Sequence, residues 1–295
     1  MMSFNLSGTG VAVITPFDAA KKIDHAALHR VVDFIITGGV EYVVALGTTA
    51  ETPTLSKHDR MEVLQSVKEA VNGRVPVVLG MGGNDTLELL DHMDSFDMQG
   101  ITALLSVTPY YNKPTQTGLY AHYKAISEHT DLPIILYNVP SRSGCNISAE
   151  TTLRLASDFK NIVATKEASG DLVQIMEILK HRPDGFKVYS GDDVISLPLL
   201  AMGVDGVISV IANGCPAQFS AMVRYALAGD FNSARKLHYD LLPLMHAIFK
   251  EGNPTGIKAL LHARGLIAND LRLPLISATE DLSSEIKTLL AQLEA

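Results

Sequence analysis

Eight short apolar runs, each followed by a stretch with apolar residues at helical spacing, recur along this 295-residue chain. The runs cover residues 11–17, 42–47, 77–80, 103–108, 134–139, 162–166, 187–190 and 206–210. Between them lie amphipathic segments such as 26–37, 57–71, 87–98 and 172–180. Strands that are apolar almost throughout belong to parallel sheets, whose faces are covered by the crossover helices. Eight such units predict a closed (β/α)8 TIM barrel in preference to an open sheet. A dinucleotide fold is disfavoured, because the nearest glycine cluster, Gly80-Met81-Gly82-Gly83, lacks the third glycine at the required spacing. From about residue 231 the pattern becomes helix only, with breaks at Gly252-Asn253-Pro254 and Leu273-Pro274. The expected organisation is a barrel over 1–230 with a C-terminal helical region over 231–295.

Composition narrows the partners. With 47% apolar residues the chain can build a core, and no apolar run approaches the roughly 18 to 20 residues needed to cross a bilayer. Met1-Met2-Ser3-Phe4-Asn5-Leu6 has no basic region followed by an apolar stretch, so no secretory signal is read and a cytoplasmic enzyme is expected. Cys145 and Cys215 have no metal-ligand spacing and suit a reducing compartment as buried or incidental thiols. A formal charge of −8 argues against nucleic acid or an anionic membrane as partner, while leaving room for a local cationic pocket.

In a barrel the chemistry sits where strands end at the C-terminal face. Lys166 stands inside the sixth run with Ala164 and Ala168 on the same face, so small side chains flank its amine. A buried lysine can serve as a nucleophile toward carbonyls; the alternative is a strand-end lysine that snorkels to water. Tyr137 ends the neighbouring run, as a proton shuttle or as a packed aromatic. Gly47-Thr48-Thr49-Ala50-Glu51 leaves the second run through hydroxyl residues that can cradle a carboxylate or simply start a helix. Arg142, between serines, reads as a carboxylate clamp or as a solvated turn residue. Thr108-Pro109-Tyr110-Tyr111-Asn112-Lys113-Pro114 forms a stiff loop that reaches a pocket or a subunit partner. His25 and His29 read as a solvated helix face, and Asp192 and Asp193 as caps of the following helix, so no metal site is expected.

Five runs in order carry a family resemblance: 47–51, 108–114, 137–144, Lys166-Glu167-Ala168 and Ser190-Gly191-Asp192-Asp193. Together they resemble the dihydrodipicolinate (4-hydroxy-tetrahydrodipicolinate) synthases, within the pyruvate-dependent class I aldolase-like superfamily. The resemblance spans essentially the whole chain and extends through Asn253-Pro254. It implies condensation of pyruvate with L-aspartate 4-semialdehyde in lysine and diaminopimelate biosynthesis, through a Schiff base on Lys166 and with no separate cofactor. Tyr137 would shuttle protons in a relay with Thr49 and Tyr111. Thr48 and Thr49 would hold the pyruvate carboxylate, Arg142 the carboxylate of the semialdehyde, and Gly191 and the carbonyl of Ile208 would line the site. The resemblance further implies a homotetramer, a dimer of dimers, in which Tyr111 crosses the tight dimer interface.

The chain departs from that pattern in three places. Ala50 replaces a frequent glycine, and Thr255-Gly256 replaces a more apolar pair that carries a second proline. The third departure concerns feedback by L-lysine. Asn84, Glu88 and Tyr110 match the effector site of lysine-sensitive members, but Lys57 and Arg60 stand where histidines are frequent, and Pro53 where a small residue is usual. Two fixed cations beside a cationic effector predict weak or absent inhibition. The rival readings are an N-acetylneuraminate lyase, a 2-keto-3-deoxy sugar acid aldolase, and a catalytically idle keto-acid sensor. Arg142 and the paired tyrosines count against the first two, and the intact Lys166, Tyr137 and Thr49 against the third.

Overall fold

The structure, a computed structural model, describes residues 6–295. Residues 1–5, read above for a secretory signal, lie outside the described residues. Among the described residues the strands are β1 Gly8–Ala12, β2 Tyr42–Ala45, β3 Val77–Gly80, β4 Ile101–Val107, β5 Ile134–Asn138, β6 Ile162–Glu167, β7 Lys187–Ser190 and β8 Gly206–Ser209. Each pairs in parallel with the next, and β8 closes on β1, so the chain forms the expected (β/α)8 barrel.

Side-chain alternation sorts the strands into two apolar layers. Tyr42 and Val44 of β2 point into the lumen, where they meet Val78, Ala103, Leu105, Ile135, Ala164, Tyr189 and Ile208. Val43 and Ala45 point outward into the larger core beneath the helices. Each fully buried aliphatic side chain in these layers contributes roughly 1.5–3 kcal/mol.

The first strand lies earlier than its apolar run suggests, at Gly8–Ala12 instead of 11–17. Gly10 explains the miss: a Cβ there would come within 2.1 Å of the Tyr42 ring, so the strand pairs only because that side chain is absent. Pro16 then supplies no N–H for a ladder, and Phe17 makes only an isolated antiparallel bridge with Ile23.

The helices begin at local signals. Ser56 and Asp59 form a reciprocal capping box at Lys57–Val71, and the Asp171 carboxylate accepts from the first amides of Leu172–His181. Beyond β8 the chain is helical, through Pro216–Leu227, Phe231–Ala247, Thr255–Ala263 and Glu280–Glu294. The connection after Ala247 crosses the C-terminal face of the barrel and brings Phe249 and Asn253 to the mouth of the lumen. Among the described residues no helix is long and apolar enough to cross a membrane.

Candidate active site

Register places Tyr137 beside Lys166 and Asn138 beside Glu167 at the ends of β5 and β6. Alternation then separates the two pairs. Tyr137 and Lys166 face the lumen, 7% and 4% exposed, with Lys166 Nζ 4.2 Å from the centre of the tyrosine ring. Asn138 and Glu167 face outward and lock the two strand ends together. The Glu167 carboxylate accepts from Asn138 Nδ2 at 3.1 Å, Ser169 Oγ at 2.7 Å and Gln174 Nε2 at 3.3 Å. Burial raises the Glu167 carboxyl above its ordinary range, against the pull of those donors.

Lys166 itself has no carboxylate in ion-pair range among the described residues; its neighbours are small or aromatic. Gly191, at the end of β7, leaves it room. A Cβ there would lie 2.8 Å from Lys166 Cε and 2.7 Å from the Ala168 methyl, so only glycine leaves the lysine stem undisturbed.

The second strand leaves the barrel through a single helical turn, Thr48–Ala50, which ends at Glu51 in the left-handed region, φ 58°. Thr52 Oγ fixes the turn from below by donating to the carbonyls of Leu46 and Gly47, each at 2.9 Å. Thr49 is buried, and its Oγ accepts from Asn253 Nδ2 at 3.0 Å, which leaves the threonine proton available to another acceptor. Arg142 rides on the short helix Pro140–Ser143 directly after β5 and donates to the Asn253 carbonyl at 3.3 Å. Lys166, Tyr137, Thr48, Thr49, Arg142 and Gly191 thus line one cavity of about 420 Å³ at the C-terminal end of the barrel. Its contents suit a small keto acid: a lysine amine, a phenol, hydroxyls at a helical turn, and one guanidinium.

The comparisons with known proteins point the same way. The model of the dihydrodipicolinate synthetase family matches residues 5–293. The chain belongs to that family. It is 49% identical over 293 residues to the 4-hydroxy-tetrahydrodipicolinate synthase of Parabacteroides distasonis, covering 99% of each chain. A solved monomeric dihydrodipicolinate synthase variant superposes with a TM-score of 0.95 at 40% identity, over 98% of this chain and 97% of that one. The chloride-inhibited dihydrodipicolinate synthase of Acinetobacter baumannii, solved with pyruvate, gives 0.95 at 38% identity, over 98% and 99%.

Two residues that the resemblance assigns to the site do not line this cavity. Tyr111 is 89% exposed, with φ 72°, and is not among the residues lining it, so the relay of Tyr137, Thr49 and Tyr111 is not assembled within one chain. Ile208 is fully buried in the lumen layer and does not line the cavity either.

An adjoining cavity of about 330 Å³ shares Thr48, Tyr137 and Arg142 with the first and is lined by Asn84, Glu88, Tyr110, Pro53 and Arg60. Lys57 is not part of it. It begins its helix and is exposed to solvent, so of that pair Arg60 alone, whose Nε also donates to the Leu55 carbonyl at 3.1 Å, brings a fixed cation to the cavity, which Arg142 lines as well.

The reading of Asp192 and Asp193 as caps of the following helix is corrected. Asp193 Oδ2 accepts from the amides of Val210 at 3.0 Å and Ile211 at 2.8 Å, joining the loops that follow β7 and β8, while Asp192 accepts from the Val194 amide at 3.0 Å in a local turn ahead of the helix Ser196–Met202, which has no side-chain cap. Burial pushes the Asp193 carboxyl up to about 6, against the pull of those amides. His25 and His29 are exposed as expected, and both cysteines are buried.

Asn253 and the buried pair Lys258 with Glu51 escaped the reading of the sequence. Lys258 carried a signal: it is a lone charge in the run Ile257-Lys258-Ala259-Leu260-Leu261, and a charge in an apolar helix segment needs a partner.

Proposed function

We propose that this chain condenses pyruvate with L-aspartate 4-semialdehyde to give 4-hydroxy-tetrahydrodipicolinate, by way of an imine on Lys166. The observation that carries this reading is the placement of the Lys166 amine, buried in the lumen, over a phenol and facing a cavity with Thr48, Thr49 and Arg142 on its walls. The amine attacks the keto carbon of pyruvate, and the resulting carbinolamine loses water to form the imine. Tyr137 is placed to pass the protons these steps need. Loss of a methyl proton gives an enamine, whose carbon attacks the aldehyde. The amino group of the second substrate then displaces Lys166 and closes the ring.

Thr48 and Thr49 hold the pyruvate carboxylate with hydroxyls and turn amides, and Arg142, on the side open to the second cavity, clamps the carboxylate of the semialdehyde. Tyr111 acts in the cavity of a neighbouring subunit, within a dimer of dimers. Its exposure on an ordered loop supports this, since Asn112 Nδ2 on that loop donates to the Asn84 carbonyl at 2.7 Å. Mixed subunits carrying Tyr111→Phe and Lys166→Ala should then recover activity that neither variant has alone, and no recovery in verified mixed oligomers would return Tyr111 to its own chain.

The substrate assignment is tested by steady-state turnover. Pyruvate with L-aspartate 4-semialdehyde should be consumed orders of magnitude faster than N-acetylneuraminate or a 2-keto-3-deoxy sugar acid is cleaved. Preferential cleavage of either sugar acid would move the chain to another member of the superfamily.

A further inference from the structure

We propose that Lys258, which lies outside the cavity, is a positioning residue for the Thr48–Thr49 turn, acting through a buried ion pair with Glu51 to set the affinity for pyruvate. This rests on the assignment of the turn as the pyruvate carboxylate cradle.

Glu51 closes the turn in a left-handed conformation that non-glycine residues adopt only when their surroundings hold them there. The surroundings here are specific. The side chains of Glu51 and Lys258 are both fully buried and form an ion pair through Oε1. The other carboxylate oxygen of Glu51 accepts from the Arg272 amide at 3.1 Å, and Lys258 Nζ also donates to the Asp270 carbonyl at 3.0 Å. The Lys258 ammonium lies 4.3 Å from the centre of the Phe17 ring, whose surface also carries the Arg272 guanidinium at 4.6 Å. Arg272 is balanced separately by Asp59 at 2.8 Å.

Two of the contacts that hold the turn come from one segment of the chain. Asn253 holds Thr49 by its hydroxyl, and Lys258 holds Glu51 by its carboxylate, so the segment 253–258 grips the turn at two points two residues apart. A third point is Thr15 Oγ, which donates to the Ala50 carbonyl at 2.8 Å. A carboxylate buried this deeply keeps its position only while its cation is present, because without it the group is driven toward water or protonation. Releasing Glu51 therefore frees the turn to relax from its left-handed end, and Thr48 and Thr49 move with it. A pair that merely tied the C-terminal helices to the barrel would affect stability and leave substrate affinity alone.

The test separates the two roles in the full-length enzyme. Glu51→Gln with Lys258→Met removes both charges while keeping comparable volume, so no unpaired ion is left inside. We expect the KM for pyruvate to rise tenfold or more, while borohydride trapping at saturating pyruvate still modifies Lys166 completely. Glu285→Gln, which breaks the exposed pair with Lys250 in the same C-terminal region, serves as the control for a purely structural contact and should leave that KM unchanged. A KM for pyruvate within twofold of wild type in the folded double variant overturns the proposal. Should the double variant fail to fold, Glu51→Gln alone is read against the same thresholds. Wild-type enzyme that forms no adduct with pyruvate removes instead the cradle assignment beneath the proposal, and that outcome is seen before any variant is made.

Discussion

Lys166 and Lys258 are buried almost equally, 4% and 0% exposed, yet the regions around their amines differ in kind. Lys258 sits between the barrel and the C-terminal helices, against the Glu51 carboxylate, the Asp270 carbonyl and the face of Phe17. Burial lowers its ammonium to about 8, with Glu51 pulling the other way. Lys166 ends in a cavity, flanked by Ala168, Gly191 and the Tyr137 ring. The difference teaches that lowered basicity does not by itself make a nucleophile. Lys258 has it and has no space in which a carbonyl carbon could approach, whereas Lys166 has the space and the proton-carrying neighbour. A buried amine with its carboxylate is a joint in the structure; a buried amine with a cavity is a reagent.

The largest effects should split along that line. Lys166→Ala should cost at least about 10³-fold in turnover by removing the covalent route, while leaving the melting temperature unchanged or higher, since no carboxylate loses a partner. Lys258→Met should do the reverse to stability, costing on the order of 3–5 kcal/mol by stranding Glu51. Thermal melts and initial rates on both variants check this, and a Lys166→Ala enzyme as destabilised as Lys258→Met would erase the distinction.

Asp193 sharpens the comparison as a buried carboxyl held by amides, with no cation paired to it among the described residues. Its folded carboxyl titrates near 6, above the ordinary 3.8, so the folded state binds the proton more tightly than the unfolded chain. Stability from this group is fully present below about pH 4 and is lost as pH rises through about 6, by up to roughly 3 kcal/mol. Asp193→Asn should remove that slope, so denaturant midpoints of wild type minus variant should fall between pH 4 and 6. A flat difference would show that Asp193 stays ionised there.

The smallest effect concerns the outer cavity. Arg60 brings a fixed cation to the wall formed with Asn84, Glu88 and Tyr110, while Lys57 stays in solvent. The partly exposed Arg60 opposes L-lysine by up to about 1 kcal/mol, a fewfold in affinity. Inhibition by L-lysine should therefore be weak and should strengthen in Arg60→His; strong inhibition of wild type at submillimolar L-lysine would show that Asn84, Glu88 and Tyr110 suffice.

Much of this was legible in the sequence for a physical reason. Parallel strands buried on both faces must be apolar throughout, so the barrel wrote itself as eight runs, and residues at their ends had to share one face. That logic located Lys166, Tyr137, Thr49 and Arg142. It missed the start of β1, because Gly8 and Gly10 carry no apolar signal though the fold needs one of them bare against Tyr42. It also missed what depends on distant segments meeting: Asn253 on Thr49, Lys258 on Glu51, and Asp193 on the amides after β8. Lys57 and Arg60 were read together, since residues three apart share a helix face, but Lys57 is the exposed first residue of its helix and only Arg60, one turn further on, lines the cavity.

The contrast between the two lysines is tested most directly by reducing the enzyme with borohydride in the presence of pyruvate and mapping the modified residue by mass spectrometry. A single three-carbon acid adduct on Lys166, with Lys258 unmodified, is the predicted result. An adduct on Lys258 or any other lysine, or turnover with no adduct at all, would contradict it.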